Sequence, residues 1–232
     1  LLMAWFRWID RIVTPAFDYA RASADWGDVG DALTVAHDEL LLRLTGDVAH
    51  GAAGSTATGR FEVSSGDELA FILRCEATLG APPSTVSPAV EAQHALEHTT
   101  TRWHAWMAPV TYSGPYRELV RRSALTLKLL DYLPTGAIIA AATTSLPEDI
   151  GGVRNWDYRY TWIRDSSFAL YALIRLGFTD EARAFMRWLV ARCEQPLADG
   201  SLQIMYAVDG RSKLTEEILP HLEGYRGSSP VR

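Results

Sequence analysis

Chemistry is densest in Arg154-Asn155-Trp156-Asp157-Tyr158-Arg159-Tyr160-Thr161-Trp162-Ile163-Arg164-Asp165-Ser166, which packs two Trp, two Tyr, three Arg and two Asp into thirteen positions. A core helix would not carry so many charges, and a solvated loop would not carry so many large aromatics. The combination suits a pocket for a polyhydroxylated ligand. Aromatic faces cover the C–H faces of a ring, while Arg and Asp form charge-assisted hydrogen bonds to its hydroxyls. Asp165 falls in the first turn of an expected helix, where the helix dipole favours its ionised form. Spacing alone leaves a second assignment open, in which Asp165 caps that helix and Arg164 pairs with some other acid.

Other groupings are weaker. Glu216, Glu217 and Glu223 lie near His221, and paired carboxylates can do acid/base work. Adjacent residues usually point in different directions, however, and no helix or strand signal fixes these, so a charged loop is expected. His94 and His98 stand at i, i+4, but no Glu follows His94 and no third ligand is evident; solvated or capping roles are expected rather than a metal site. The two cysteines, Cys75 and Cys193, are too far apart for a disulfide framework or a cysteine zinc site. Gly151-Gly152 lacks the further glycine of a nucleotide-binding loop. Twenty-two Lys and Arg against 28 Asp and Glu leave a charge of −6 without a basic block, so neither nucleic acid nor an anionic membrane is an expected partner. At 48% hydrophobic residues, the chain is not generally disordered.

The elements that position these residues divide into two styles. The first part reads as β. Glu39 to Leu44 is a short apolar run closed by Gly46-Asp47, and Gly51 to Gly59 reads as a flexible small-residue loop. Phe61-Glu62-Val63 leads into the turn Ser64-Ser65-Gly66-Asp67, beyond which Leu69, Phe71, Leu73 and Cys75 alternate with polar or smaller residues. That spacing predicts a hairpin with Cys75 on its buried face. Gly80 to Pro88, with three prolines, is the best domain boundary. Helical signals follow. One helix is expected over Pro88 to Met107 on Ala92, Leu96, Trp103 and Trp106. A second starts at Ser113-Gly114-Pro115 with Tyr116, Leu119, Val120, Leu127 and Leu130 on its apolar face. A third covers Ile163 to Leu176, with Gly177 as its C′ residue, and a fourth opens at Thr179 and runs to a structural Cys193. The longest uncharged stretch at the N-terminal end is six residues, too short for a membrane span or a signal-peptide core. The ragged ends, Leu1-Leu2-Met3 and Pro230-Val231-Arg232, lead to the expectation of a piece of a longer protein.

Four ordered segments resemble glycoside hydrolase family fifteen, the bacterial glucoamylase-like and trehalase-like enzymes. They are Thr135 to Glu148, Gly152 to Asp165, Leu202-Gln203-Ile204-Met205-Tyr206, and His221-Leu222-Glu223-Gly224-Tyr225-Arg226-Gly227. The resemblance runs from about Tyr116 to Arg232. A looser one covers Thr14 to Arg21, similar to a strand region of the family's N-terminal sandwich.

The resemblance implies an α+β multidomain architecture: residues 1–87 as a partial antiparallel β-sandwich, 88–110 as a linker helix, and 111–232 as the first helices of an (α/α)6 barrel. It implies that Arg164 and Asp165 grip hydroxyls of a terminal sugar, with Trp162 and Tyr158 packed beside it and Tyr225 on the pocket rim. It implies an inverting, exo-acting hydrolase needing neither metal nor cofactor, releasing glucose from α-glucosidic substrates in the manner of a glucoamylase; trehalase is the alternative within the family. The general acid and base would lie beyond Arg232, so residues 1–232 hold no catalytic residue of their own. The implied partner is an α-linked glucose oligosaccharide or trehalose, and the implied setting is the bacterial cytoplasm. A reading of another class, a non-catalytic carbohydrate-binding or interaction fragment, stays open.

Overall fold

The computed structural model describes residues 7–76, 86–144, 146–194, 196 and 199–232. Most of the expected Gly80–Pro88 boundary, the ragged N-terminal residues and Ser145 of the first family segment lie outside the described residues. The chain divides into two compact units, Leu1–Ala105 and Trp106–Arg232.

The first unit is built on seven strands: β1 (Arg7–Val13), β2 (Gly27–Val29), β3 (Ala32–His37), β4 (Leu40–Gly46), β5 (Gly51–Ala53), β6 (Thr56–Val63) and β7 (Phe71–Glu76). All pairs are antiparallel, in two sheets ordered β1-β6-β5 and β2-β3-β4-β7. Alternation puts Leu33 and Val35 of β3, Leu44 of β4 and Ala57 of β6 into one apolar core with Phe17 and Trp26, so the two sheets share a core. Helix α1 (Pro88–Met107) follows. Arg74 on β7 donates to Glu91 on its first turn at 2.9 Å.

Several local expectations change here. The turn before β7 forms, with Ser64 N–H donating to the Asp67 carboxylate at 2.7 Å. It does not close a hairpin: β6 pairs with β1 and β5, while β7 crosses to pair with β4. The face of β7 inverts with it. Leu73 is 50% exposed and Cys75 exposed, while Arg74 and Glu76 turn inward; Glu76 lies 3.5 Å from Arg43 and Arg74 reaches Glu91. Gly51 to Gly59 is no loop but the β5–β6 hairpin, in which Gly54 at φ +56 supplies the positive φ a two-residue connection needs. Thr14 to Arg21 is a turn rather than a strand: Asp18, Tyr19 and Ala20 all sit at positive φ, and Phe17 bridges Ala22. On α1, Leu96 is exposed.

In the second unit α2 (Arg117–Leu129) is followed by a β8–β9 ladder (Asp131–Tyr132, Ala137–Ile138), by β10 (Thr161–Trp162), α3 (Ile163–Arg175), α4 (Asp180–Cys193) and β11 (Met205–Tyr206), then a tight turn at Tyr225–Gly227. Pro115 lies before α2, not in its first turn, because the N-cap Tyr116 takes a left-handed conformation at φ 57. Ala124 is the buried residue of α2, and Leu119 is exposed. Helix α3 ends as its sequence predicts. Gly177, at φ +98, donates to the Ile174 carbonyl and Phe178 to the Leu173 carbonyl, each at 3.0 Å, which is the Schellman arrangement. Phe178 then packs with Leu173, Ala124 and Met107. A second core joins Ala137 and Ile138 of β9, Leu170 of α3, Phe185 and Trp188 of α4, and Tyr206 of β11. Cys193 is exposed rather than packed. No helix among the described residues is long and apolar enough to cross a membrane.

Candidate functional site

The aromatic and charged segment 152–160 belongs to no regular strand, yet both its edges are hydrogen-bonded. On one side, Ala140 N–H donates to Tyr160, Ala141 to Tyr158, and Tyr158 N–H to Thr143, at 2.9–3.0 Å. On the other, Ser229 N–H donates to Gly152, Arg232 to Asn155, and Asp157 to Arg232, over the same range. A segment pinned along both edges can present side chains at fixed positions without being a strand.

Side chains reinforce this. Asn155 is fully buried and donates through Nδ2 to the Ser229 carbonyl at 3.0 Å. Asp157 is 5% exposed; its carboxylate accepts the Arg159 backbone N–H at 2.8 Å and the Arg159 guanidinium at 2.9 Å. The chain then enters β10, paired to β11 by Thr161 with Tyr206 and Trp162 with Met205. Ser166, in the first turn of α3, is fully buried and donates to the Ile138 carbonyl at 3.1 Å, which fastens the start of that helix to β9.

The residues singled out by type and by the family resemblance fall on this frame as follows. Tyr158 and Trp162 are half-buried neighbours, ring centroids 6.0 Å apart and tilted by 31°. Arg164 and Asp165 occupy the first turn of α3, where Arg164 Nη2 donates to Asp165 Oδ2 at 3.0 Å; their side chains are 71% and 40% exposed. The N-cap position is Trp162, in extended conformation, so Asp165 is not the cap, and the acid that pairs with Arg164 is Asp165 itself. Two charges held together yet open to solvent can exchange one another for the hydroxyls of a ligand. Burial raises the Tyr158 phenol pKa, the charge of Glu148 and a hydrogen bond to it add to that rise, and Arg154 opposes it. Arg154 also pairs with Glu148 at 3.2 Å.

Tyr225 is 45% exposed with the Arg226 guanidinium 5.3 Å from its ring centre. Its turn is tied by hydrogen bonds to Gly151 and Gly152, at the glycine end of the segment. The structure therefore brings Tyr158 beside Trp162 and Arg164 against Asp165, and joins Tyr225 to their segment through the backbone. Glu216 pairs with Arg232 at 3.1 Å, and the exposed Glu216, Glu217 and Glu223 lie on a stretch without helix or strand. His94 and His98 are exposed on α1, and the described residues contain no cluster of three His, Cys, Asp or Glu placed to hold a metal ion.

Sequence reasoning included Glu148 and Ser166 within its segments without giving either a role, and missed Ser228 altogether. A serine or a single glutamate carries no pattern of its own. The one available signal was Asn155, a polar residue inside an aromatic run.

The sequence model of glycosyl hydrolases family 15 matches residues 114–232. A trehalase of Mycobacterium tuberculosis is 41% identical over 231 residues, covering 94% of this chain and 33% of that protein. A trehalase of Thermoplasma acidophilum is 46% identical over 137 residues, 59% of this chain and 23% of that protein. Trehalase 1 of Sulfolobus acidocaldarius is 46% identical over 118 residues, 50% of this chain and 20% of that protein. The chain thus spans about a third of the length of its mycobacterial relative. No solved structure matches it at comparable significance.

Proposed function

Because the chain belongs to glycosyl hydrolases family 15, we propose that it is part of a trehalase, an inverting enzyme that hydrolyses trehalose to glucose. The observation that carries this reading is the 41% identity to a trehalase across 94% of the chain. It favours trehalose over the glucan oligosaccharides of a glucoamylase, the substrate class that the family resemblance alone put first.

In this reading residues 1–87 are sandwich, 88–110 linker, and 111–232 the opening helices of the six-hairpin barrel. Trp162 and Tyr158 cover the apolar face of one glucose. Arg164 donates to its hydroxyls and Asp165 accepts from them, which holds the ring still while its far bond reacts. In the reaction a carboxylic acid protonates the glycosidic oxygen while a carboxylate removes a proton from the attacking water, so bond cleavage inverts the anomeric carbon and yields one α- and one β-glucose. Those two carboxyl groups are assigned outside residues 1–232. The residues present here bind and orient.

The test is to assay the full-length protein carrying these residues on trehalose, maltose and maltooligosaccharides, following the product anomers by NMR. Trehalose turnover with β-glucose appearing first supports the reading, whereas turnover confined to maltooligosaccharides returns the glucoamylase. Residues 1–232 alone should hydrolyse none of them; turnover abolished by Glu216→Gln or Glu217→Gln would reverse the assignment of the carboxylates.

A further inference from the structure

Ser228 is 8% exposed, and its hydroxyl is used in both directions. It accepts the Gly151 N–H at 2.9 Å and donates to the Tyr225 carbonyl at 2.6 Å. Gly151 and Ser228 are 77 positions apart in the chain. A hydroxyl is a compact group able to accept from one backbone and donate to another at the same time.

The surrounding turn is tightly constrained. Ser228 N–H also donates to the Tyr225 carbonyl at 3.2 Å, and Ser229 N–H to Gly152 at 3.0 Å. Arg226, between them, is held at φ 50, a conformation that costs a non-glycine residue energy and persists only where its neighbours impose it. At Gly224 a Cβ would collide with the carbonyls of Ser228 and Ser229. The direction in which Tyr225 leaves this turn is therefore set by the hydrogen bonds around it; the Ser228 hydroxyl bonds the turn itself to Gly151, beside the Asn155 amide, which holds the Ser229 carbonyl just beyond it.

We propose that Ser228 is a positioning residue of the sugar site, its hydroxyl fixing where the Tyr225 ring stands relative to the Tyr158–Trp162 wall. This rests on the reading of that wall and of Tyr225 as sugar-binding. Ser228→Ala leaves the Gly151 N–H without its acceptor and releases one of the two bonds on the Tyr225 carbonyl. The turn then relaxes from its strained conformation, and the ring is no longer presented in one place.

The experiment uses the full-length protein and whichever α-glucoside it hydrolyses, so that a failure of the trehalose assignment leaves this one testable. Ser228→Ala should raise KM about tenfold with kcat within about twofold, since a positioned ring contributes to binding in ground and transition states alike. Ser228→Thr, which keeps the hydroxyl, should recover most of the loss. In a Tyr225→Ala background, Ser228→Ala should add nothing. Amide exchange provides a readout independent of any sugar: protection of the Gly151 N–H should fall in Ser228→Ala and persist in Ser228→Thr. A drop in apparent kcat at unchanged KM would mean fewer folded molecules and would overturn the proposal. So would an undiminished effect in the Tyr225→Ala background. If Tyr225→Ala alone leaves kcat/KM unchanged, Tyr225 leaves the site and the proposal falls with it, while the roles of Tyr158 and Trp162 stand.

Discussion

The β unit and the helical unit bury different kinds of residue. Among the described residues of the first unit, every buried side chain is apolar: Phe17, Trp26, Leu33, Val35, Leu44 and Ala57 form its centre. The six buried polar or charged residues, Asn155, Asp157, Thr161, Ser166, Glu181 and Ser228, all belong to the second. Five of them are anchored by side-chain hydrogen bonds, and Thr161 is held by its backbone in the β10–β11 ladder. An apolar core needs volume and tolerates exchange of similar shapes. A buried polar frame needs particular atoms in particular places, and so holds neighbouring side chains to one geometry. The unit with the candidate site is the one that pays this cost.

The comparison breaks if a change in the first unit damages activity as much as stability. Leu44→Ala, at a residue 1% exposed, should remove about 4 kcal/mol of stability by thermal or denaturant unfolding and leave kcat/KM of the folded enzyme unchanged. Asp165→Asn should do the reverse, lowering kcat/KM about a hundredfold, or about 3 kcal/mol of transition-state binding, with little change in Tm. Unchanged kinetics would remove the Arg164–Asp165 pair from the site.

Glu181 sharpens the contrast, because it is buried, charged and remote in sequence from the aromatic segment. It accepts from Trp106 Nε1 at 2.8 Å and from Lys128 Nζ at 2.9 Å, and Lys128 also holds Asp131 at 2.7 Å. Burial works against ionisation of Glu181, but the bonds from Lys128 and Trp106 and the charge of Lys128 outweigh it, leaving the carboxyl below its ordinary value. Burial likewise works against the Lys128 charge and is outweighed by its bonds to Asp131 and Glu181, so its pKa is raised. A carboxyl with a lowered folded-state pKa stabilises the fold at pH above its unfolded value, and that contribution disappears as pH falls through the folded value. Glu181→Gln should therefore cost about 2 kcal/mol at neutral pH, and the gap to wild type should close on acidification through that range. A gap independent of pH would mean that the ion pair contributes nothing. The smallest expected effect is at Gly177, where φ is +98 and a Cβ would meet nothing within 4 Å. Gly177→Ala should cost about 1 kcal/mol of stability through backbone conformation alone, measurable as a small fall in Tm.

Legibility followed the range of the interactions. Helix α3 and its glycine stop could be read because the apolar period and the C′ residue are both local, and α1 and α4 were bounded by Pro88 and Thr179 for the same reason. The turn at Ser64–Asp67 was equally local and equally readable. Its consequence was not, because β4 offers β7 a pairing edge in another sheet, and a one-residue choice of face then exposes Cys75 and turns Glu76 inward toward Arg43. In the candidate site, the thirteen-residue segment and its Arg164–Asp165 pair could be picked out by density of type, while Tyr158 and Trp162 were singled out within it by the family resemblance. Tyr225 came only from resemblance, and Ser228 not at all, since the bond that gives it meaning reaches across 77 residues.

The sequence by itself determined where aromatic and charged side chains concentrate, which stretches would be helical and which family the second half resembled, because composition, period and motif are properties of neighbours along the chain. Tertiary structure alone decided which strands pair, which face of β7 is buried, that Arg164 is matched by Asp165 rather than by another acid, and that a buried serine carries Tyr225 to the glycine end of the aromatic segment. Each of these depends on the partner that distant backbone or side-chain atoms present once the chain has closed on itself, and no local pattern encodes the identity of that partner.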